Sequence, residues 1–216
     1  MENKEFWEKI DKVFYINLDK RKDRNIHCLK QLFSIGTPVN KIERFSAIEH
    51  PQGHVGCFQS HIACLKMAIE RNYDNVIIIE DDINFTDVQF MKNNLNKIFT
   101  HPFDVFFLGV NLIEYEKIDP DFIRVTRSGC FLGYIVQKHY YERLLNTCLE
   151  GFELLMKTGN KMIYAIDGHC MRVLQPIDQW LTFSKLTVSQ VQSYSDIENR
   201  VVNYDNYMLK DIEKIK

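Results

Sequence analysis

One stretch of ten residues, Val76-Ile77-Ile78-Ile79-Glu80-Asp81-Asp82-Ile83-Asn84-Phe85, limits what this chain can fold into more than any other. Four β-branched apolar residues run straight into three carboxylates. A run so short, branched and free of polar residues suits a strand buried on both faces, as in a parallel sheet. Three successive acids do not sit inside a core unless positive charge meets them. The stretch therefore predicts a central strand that delivers Glu80, Asp81 and Asp82 to the carboxyl edge of a sheet, where open α/β folds bind their ligands. Acids placed there suit a divalent cation and, through it, the phosphates of a nucleotide.

The flanking sequence supplies the rest of such a sheet. Val13–Leu18 reads as a first strand, followed by Asp19-Lys20-Arg21-Lys22-Asp23-Arg24 and an amphipathic helix through Cys28, Leu29, Leu32 and Phe33, capped by Asp19 or Asp23. Asn17 interrupts an apolar strand near its end; in a nucleotide site it can read a base or ribose, and Arg21 and Arg24 can pair with phosphate. A solvated charged turn is the alternative. Ile42–Ile48 is a second strand, and Gly53 opens a helix to about Asn72 whose apolar stripe is Phe58, Ile62, Leu65 and Ile69. Gly53 and Gly56 allow close backbone approach to a ligand at that helix start. His61 borders the stripe, and Ser60 beside it forms no dyad by adjacency, because neighbouring helical residues point about 100° apart.

Further along, a helix is expected from Asp87 to Phe99 and a buried strand over Asp104–Gly109. Leu112–Pro120 reads as a loop carrying Glu114 and Glu116. Phe122–Thr126 and Cys130–Val136 read as two strands joined at Ser128-Gly129, and Tyr140–Leu149 as a helix. Met162–Ile166 is a second apolar run ending in an acid, Asp167, then Gly168 and His169. Alternating β and α with mixed order later predicts an α/β fold: one domain over 1–216, core about 12–198, with a mostly parallel sheet, flanking helices and added antiparallel strands.

Composition excludes several classes. A net charge of −2 gives no reason to expect nucleic acid. The N-terminal residues have no apolar h-region, and no apolar run approaches the roughly 20 residues of a membrane span. A cytoplasmic location is the expectation, with Glu5–Ile10 as a docked terminal helix or a peripheral membrane contact. The six cysteines show no zinc-like spacing and are expected to be free thiols of a reducing compartment.

Tyr15-Ile16-Asn17-Leu18-Asp19-Lys20-Arg21-Lys22-Asp23-Arg24 resembles the opening block of family 25 glycosyltransferases, which include lipooligosaccharide and collagen hydroxylysine galactosyltransferases. Gly56-Cys57-Phe58-Gln59-Ser60-His61 is similar to the family's Gly-Cys-x-x-Ser-His block, and Ile79-Glu80-Asp81-Asp82 to its Glu-Asp-Asp block. Gly133-Tyr134-Ile135-Val136, Asp167, Gln190, Gln192 and Ser195-Asp196-Ile197 echo later blocks. Gly168-His169 departs from the family pattern, which has a large residue after the late Asp.

The resemblance implies a GT-A-like fold, a UDP-hexose (galactose or glucose) as donor, Mn²⁺ or Mg²⁺, and inverting transfer to a hydroxyl acceptor on a glycan, glycolipid or protein. It places Asn17, Arg21, Arg24, Ser60, His61, Glu80 and Asp81 in the donor-binding set. Asp82 is assigned to the metal with Glu80, and His169 completes the metal shell; hard oxygen ligands suit these ions. Strand alternation sets Glu80 and Asp82 on one side and Asp81 on the other, where it pairs with a nearby Arg. Asp167 is the first choice for the base that takes the acceptor's proton, a helix N-cap being its structural alternative, with Glu114 and Glu116 behind it. Two alternatives stand beside this reading: a catalytically inactive sugar- or nucleotide-binding relative, and a receiver-like phosphoacceptor domain.

Overall fold

A computed structural model describes residues 3–215. In chain order the helices and strands are α1 (Lys4–Lys9), β1 (Lys12–Asn17), α2 (Lys22–Ser34), β2 (Ile42–Ser46), α3 (Gly53–Glu70), β3 (Asn75–Glu80), β4 (Ile83–Phe85), α4 (Val88–Asn94), β5 (Val105–Lys117), β6 (Phe122–Gln137), α5 (Tyr141–Thr158), α6 (Lys161–Tyr164), α7 (Ile166–Val173), β7 (Trp180–Phe183), β8 (Val188–Gln190), β9 (Ser193–Ser195), β10 (Arg200–Val202) and α8 (Asp205–Met208). Six strands form the main sheet in the order β2-β1-β3-β6-β5-β7. The pairings of β1 with β2 and β3, and of β5 with β7, are parallel, while β6 runs against both β3 and β5. The expected α/β architecture forms: five strands share a direction and β6 alone is reversed.

The acidic strand is central, as its sequence requires. Its pleat feeds two cores. Val76 and Ile78 join Phe14, Phe58, Leu65 and Tyr134 on the face covered by α3 and α5. Ile77 and Ile79 join Val13, Cys28, Leu32 and Ile135 on the face covered by α1 and α2. All four are buried, which is why no polar residue interrupts the run. At about 2 kcal/mol per fully buried aliphatic side chain, these four anchor the sheet.

Several expectations fail for physical reasons. Leu112–Pro120 is not a loop, since β5 continues to Lys117. Its exposed charges are matched across to β6, with Glu114 facing Arg127 at 3.0 Å and Glu116 facing Arg124 at 2.9 Å. Ser128-Gly129 is not a turn. β6 runs unbroken past it, and the irregularity is absorbed by register shifts against β5 and by Cys130 in the left-handed region at φ 73°. The apolar run Met162–Ile166 does not bring Asp167 to a sheet edge, because α5 ends at the left-handed Gly159 and the chain recoils at once into α6 and α7. Neither Asp19 nor Asp23 caps α2; they pair with Arg44 and Arg21 instead.

Helix α3 is held close to the segment after β2. A Cβ on Gly56 would lie 2.2 Å from the Ile48 carbonyl oxygen, so the close approach this glycine permits is to the chain's own backbone. Ser60 ties the same junction, accepting from the Ile48 amide at 2.9 Å and donating to the Gly56 carbonyl at 2.7 Å. Gly56→Ala is expected to destabilise the protein by about 1–3 kcal/mol or more, read as a lower urea midpoint with an unchanged slope.

Candidate functional site

Beyond the carboxyl ends of β1 and β3 lies a cleft of about 610 Å³ whose lining includes Arg21, Arg24, Glu80, Asp81, Asp82 and Tyr194. β1 stops at Asn17 and α2 begins at Lys22, so the intervening turn and first helical turn bring both arginines to the rim. On the far wall the paired strands β9 and β10 close over it, contributing Ser195 and Asp196.

The three acids divide, but not as strand alternation over all three predicts. Glu80 is the last residue of β3 and continues the Val76–Ile78 side, so it faces α3. There its Oε1 lies 3.3 Å from His61 Nε2 and accepts from Cys57 Sγ at 3.3 Å. Asp81 falls on the α2 side and accepts from Asn17 Nδ2 at 2.6 Å and Arg24 at 3.1 Å. Asp82 follows the turn rather than the pleat and joins Asp81, 3.0 Å from the same Arg24 nitrogen. Asp82 thus shares Arg24 with Asp81 while still facing the charge of Glu80; the expected Arg partner for Asp81 is found. Gln190 of β8 donates to Asp82 Oδ2 at 3.4 Å, while Asp82 Oδ1 is buried without a partner.

The electrostatics follow from this arrangement. Burial pushes the Asp82 carboxyl up to about 7, against the pull of Arg24 and with repulsion from Glu80 and Asp81 adding to it. Burial likewise raises Asp81, in excess of what Arg24 and Asn17 return. Burial also opposes ionisation of Glu80, but its contacts with His61 and Cys57, aided by Arg24, bring it below the ordinary carboxylate value. Asp81 and Asp82 thus share the Arg24 guanidinium, while Glu80 is held by His61 and Cys57.

Several predicted residues serve the framework instead of the cleft. Asn17 is buried, with its amide nitrogen bonded to Asp81 and the Arg21 carbonyl and its oxygen to Arg44; all its polar groups are spent within the protein. Ser60 and His61 are fully buried behind the cleft wall. Asp167 does not cap α7, whose N-cap is Ala165. Its carboxylate accepts from the Cys130 amide at 3.1 Å and the Gly168 amide at 2.8 Å, clipping α7 to the irregular part of β6. Glu114 and Glu116 are held in the β5–β6 ion pairs. His169 is not brought to Glu80 and Asp82. It packs against Gly151, where an added Cβ would meet its ring at 2.6 Å, with Tyr164 alongside, and burial lowers its basicity.

Other residues at the site gave little sequence signal. Arg21 donates to Asp196 at 2.5 Å and to the Tyr194 carbonyl at 3.0 Å, and Arg24 donates to Ser193 at 2.9 Å. Both basic residues therefore already hold the β9–β10 hairpin. Only the echo of a late family block hinted at Asp196. Cys57 was visible as a motif letter but its neighbours were not.

The family model described as "Glycosyltransferase family 25 (LPS biosynthesis protein)" matches residues 49–133, spanning α3 and the acidic strand. Procollagen galactosyltransferase 2 of Homo sapiens is 25% identical over 172 residues, covering 62% of this chain and 27% of the relative; the Mus musculus protein aligns with the same figures. The chain thus spans about a quarter of the length of the curated relatives it matches. Among solved structures, a glycosyltransferase involved in glycosylation of the major capsid of PBCV-1 is similar, with a TM-score of 0.49, 9% identity, and 79% of this chain and 80% of that one covered. A197 from STIV aligns with a TM-score of 0.45 and 13% identity over 89% of this chain and 93% of that one. The family resemblance carried by the motifs is borne out by the family model and the two curated relatives.

The raised Asp82 pKa makes a signed prediction. A carboxyl held above its unfolded value stabilises the fold below about pH 4, and that contribution is lost as pH rises toward 7. Asp82→Asn keeps the shape and removes the buried charge. Its melting temperature is expected to exceed that of the wild type at pH 8 and to match it at about pH 3.5, below the unfolded value. Equal shifts at both pH values would contradict the account.

Proposed function

As a relative of the family 25 glycosyltransferases, this chain is one for which we propose transfer of a hexose from a UDP-sugar to a hydroxyl acceptor, aided by a divalent cation. The observation that carries the reading is the cleft itself: buried acids and two arginines at the carboxyl edge of β1 and β3, within and beside the stretch matched by the family model. Leaving-group departure from an anomeric carbon builds negative charge on a diphosphate, and such a site offers positive charge to receive it. Galactosyl transfer is named for the relatives; for this chain galactose and glucose are both in the proposal. The acceptor class proposed is a glycan, glycolipid or protein hydroxyl.

The residues present fit a hard divalent cation. Asp82 Oδ1 is a buried carboxylate oxygen with no donor, and the acids around it outnumber the guanidinium that serves them. Asp82 would hold the ion with Asp81 beside it, and when bound the ion would offset charge on the departing diphosphate. Arg21 and Arg24 would then bind phosphate oxygens, exchanging their present contacts with Asp196, Ser193 and the acids for the donor. Asp167 remains the proposed base from sequence alone; its carboxylate accepts from the Cys130 and Gly168 amides. Among the described residues no helix is long and apolar enough to cross a membrane.

Two measurements test this. Purified protein with Mn²⁺ is presented with a panel of UDP- and GDP-sugars; hydrolysis or transfer with a UDP-hexose is expected, and loss on the order of 10²-fold in folded Asp82→Ala. Neither binding nor turnover with any donor would sink the reading, and binding without turnover would favour an inactive relative. Asp196→Asn, which frees Arg21 from one carboxylate, is expected to tighten UDP binding several-fold by calorimetry. Unchanged or weaker binding would show that Arg21 does not reach the donor.

A further inference from the structure

We propose that Cys57, His61 and Glu80 form a tripod for a borderline transition metal of the Zn²⁺ class, separate from the hard cation assigned to Asp82. Cys57 Sγ, His61 Nε2 and a Glu80 carboxylate oxygen all lie within 4.8 Å of one another. The sulfur-to-oxygen and nitrogen-to-oxygen separations are both 3.3 Å. Typical zinc bond lengths at tetrahedral angles require ligand-to-ligand edges of roughly 3.3 Å for nitrogen to oxygen and 3.5 Å for sulfur to oxygen. The nitrogen-to-oxygen edge matches that figure, the sulfur-to-oxygen edge is about 0.2 Å shorter, and the sulfur-to-nitrogen edge lies within 4.8 Å.

The fold explains why the three meet. Cys57 and His61 are four residues apart on α3, hence one above the other on one face. β3 ends with Glu80 pointing at that face. The imidazole is already oriented from behind: Tyr134 holds Nδ1 at 3.2 Å and stacks on the ring at 5.8 Å, leaving Nε2 as the nitrogen turned toward Glu80. Metal-bound histidines are fixed in this way by a partner on the other nitrogen. Three protein ligands of mixed sulfur, nitrogen and oxygen character favour zinc-like ions over Mn²⁺ or Mg²⁺. Cys57 and Glu80 also line the cleft while His61 is fully buried, so a fourth ligand position would open toward the cleft, where water or an anionic oxygen can enter.

Neither the sugar donor nor the acceptor enters the test, so its outcome is independent of the donor panel. Metal-free protein is titrated with Co²⁺ and followed by absorption. One equivalent is expected to give the intense visible bands of a tetrahedral ion and a near-ultraviolet thiolate-to-metal band. Cys57→Ser, checked for folding by circular dichroism, loses the thiolate band. Tyr134→Phe, which removes only the hydroxyl behind Nδ1, weakens binding about tenfold, and Asp82→Asn leaves the spectrum in place. A weak octahedral spectrum, no thiolate band, or loss of the spectrum in Asp82→Asn would overturn the assignment. Should Cys57→Ser not fold, wild-type protein is alkylated with and without Zn²⁺. Protection of the Cys57 peptide supports the tripod, and an equal rate refutes it.

Discussion

Burying three carboxylates at the end of an apolar strand is the constraint on which the site depends. Each acid loses water, and a buried charge is tolerated only with a partner in good geometry. The chain answers with two separate cradles. Asp81 and Asp82 share Arg24 from α2, while Glu80 is received by Cys57 and His61 from α3. Because the cradles lie on opposite faces of β3, both flanking layers must be packed before the acids are satisfied. The same run that anchors the two cores thus also makes the cleft dependent on both.

The two cradles differ in chemistry as well as in position. On the α2 side the donors are nitrogen and the acceptors are carboxylate oxygen, a setting of hard charges in which a cation or a phosphate finds partners. On the α3 side sulfur, imidazole and carboxylate converge, and the rings of Phe131 and Tyr134 pack behind the imidazole. Three adjacent residues therefore present two unlike environments within one cleft. Strand geometry separates Glu80 from Asp81, since consecutive side chains leave a strand on opposite faces, and the turn after β3 returns Asp82 to Arg24.

Much of this was legible. The unbroken Val76–Ile79 run announced a strand buried on both faces, and the pleat correctly set Glu80 opposite Asp81. It failed at Asp82 because β3 ends one residue after Ile79, and in a turn the period of two no longer holds. Glu114 and Glu116 read as loop because exposed charges look alike whether solvated or paired. Only the register against Arg127 and Arg124, fixed by tertiary pairing, distinguishes them. His169 looked like a site residue because it follows an acid after an apolar run. The run proved helical once Gly159 ended α5, and the ring turned into the gap that Gly151 leaves. Asn17 was chosen for its position at a strand end, which is correct, but its hydrogen bonds hold the acids, not a ligand.

The hairpin that walls the cleft has a consequence for how the protein is made. Arg21 reaches Asp196 and Arg24 reaches Ser193 across 175 and 169 residues of chain. The last strand of the main sheet ends at Phe183, so the sheet can be complete while that wall is still missing. Contacts of such sequence separation close late, because the entropy of bringing distant segments together is spent before they return any energy. During synthesis Arg24 would meet Asp81 and Asp82 first, and both arginines would meet the hairpin last. For that interval the nascent sheet holds an open, charged floor facing solvent or a chaperone, and the hairpin over residues 193–202 decides when it is covered.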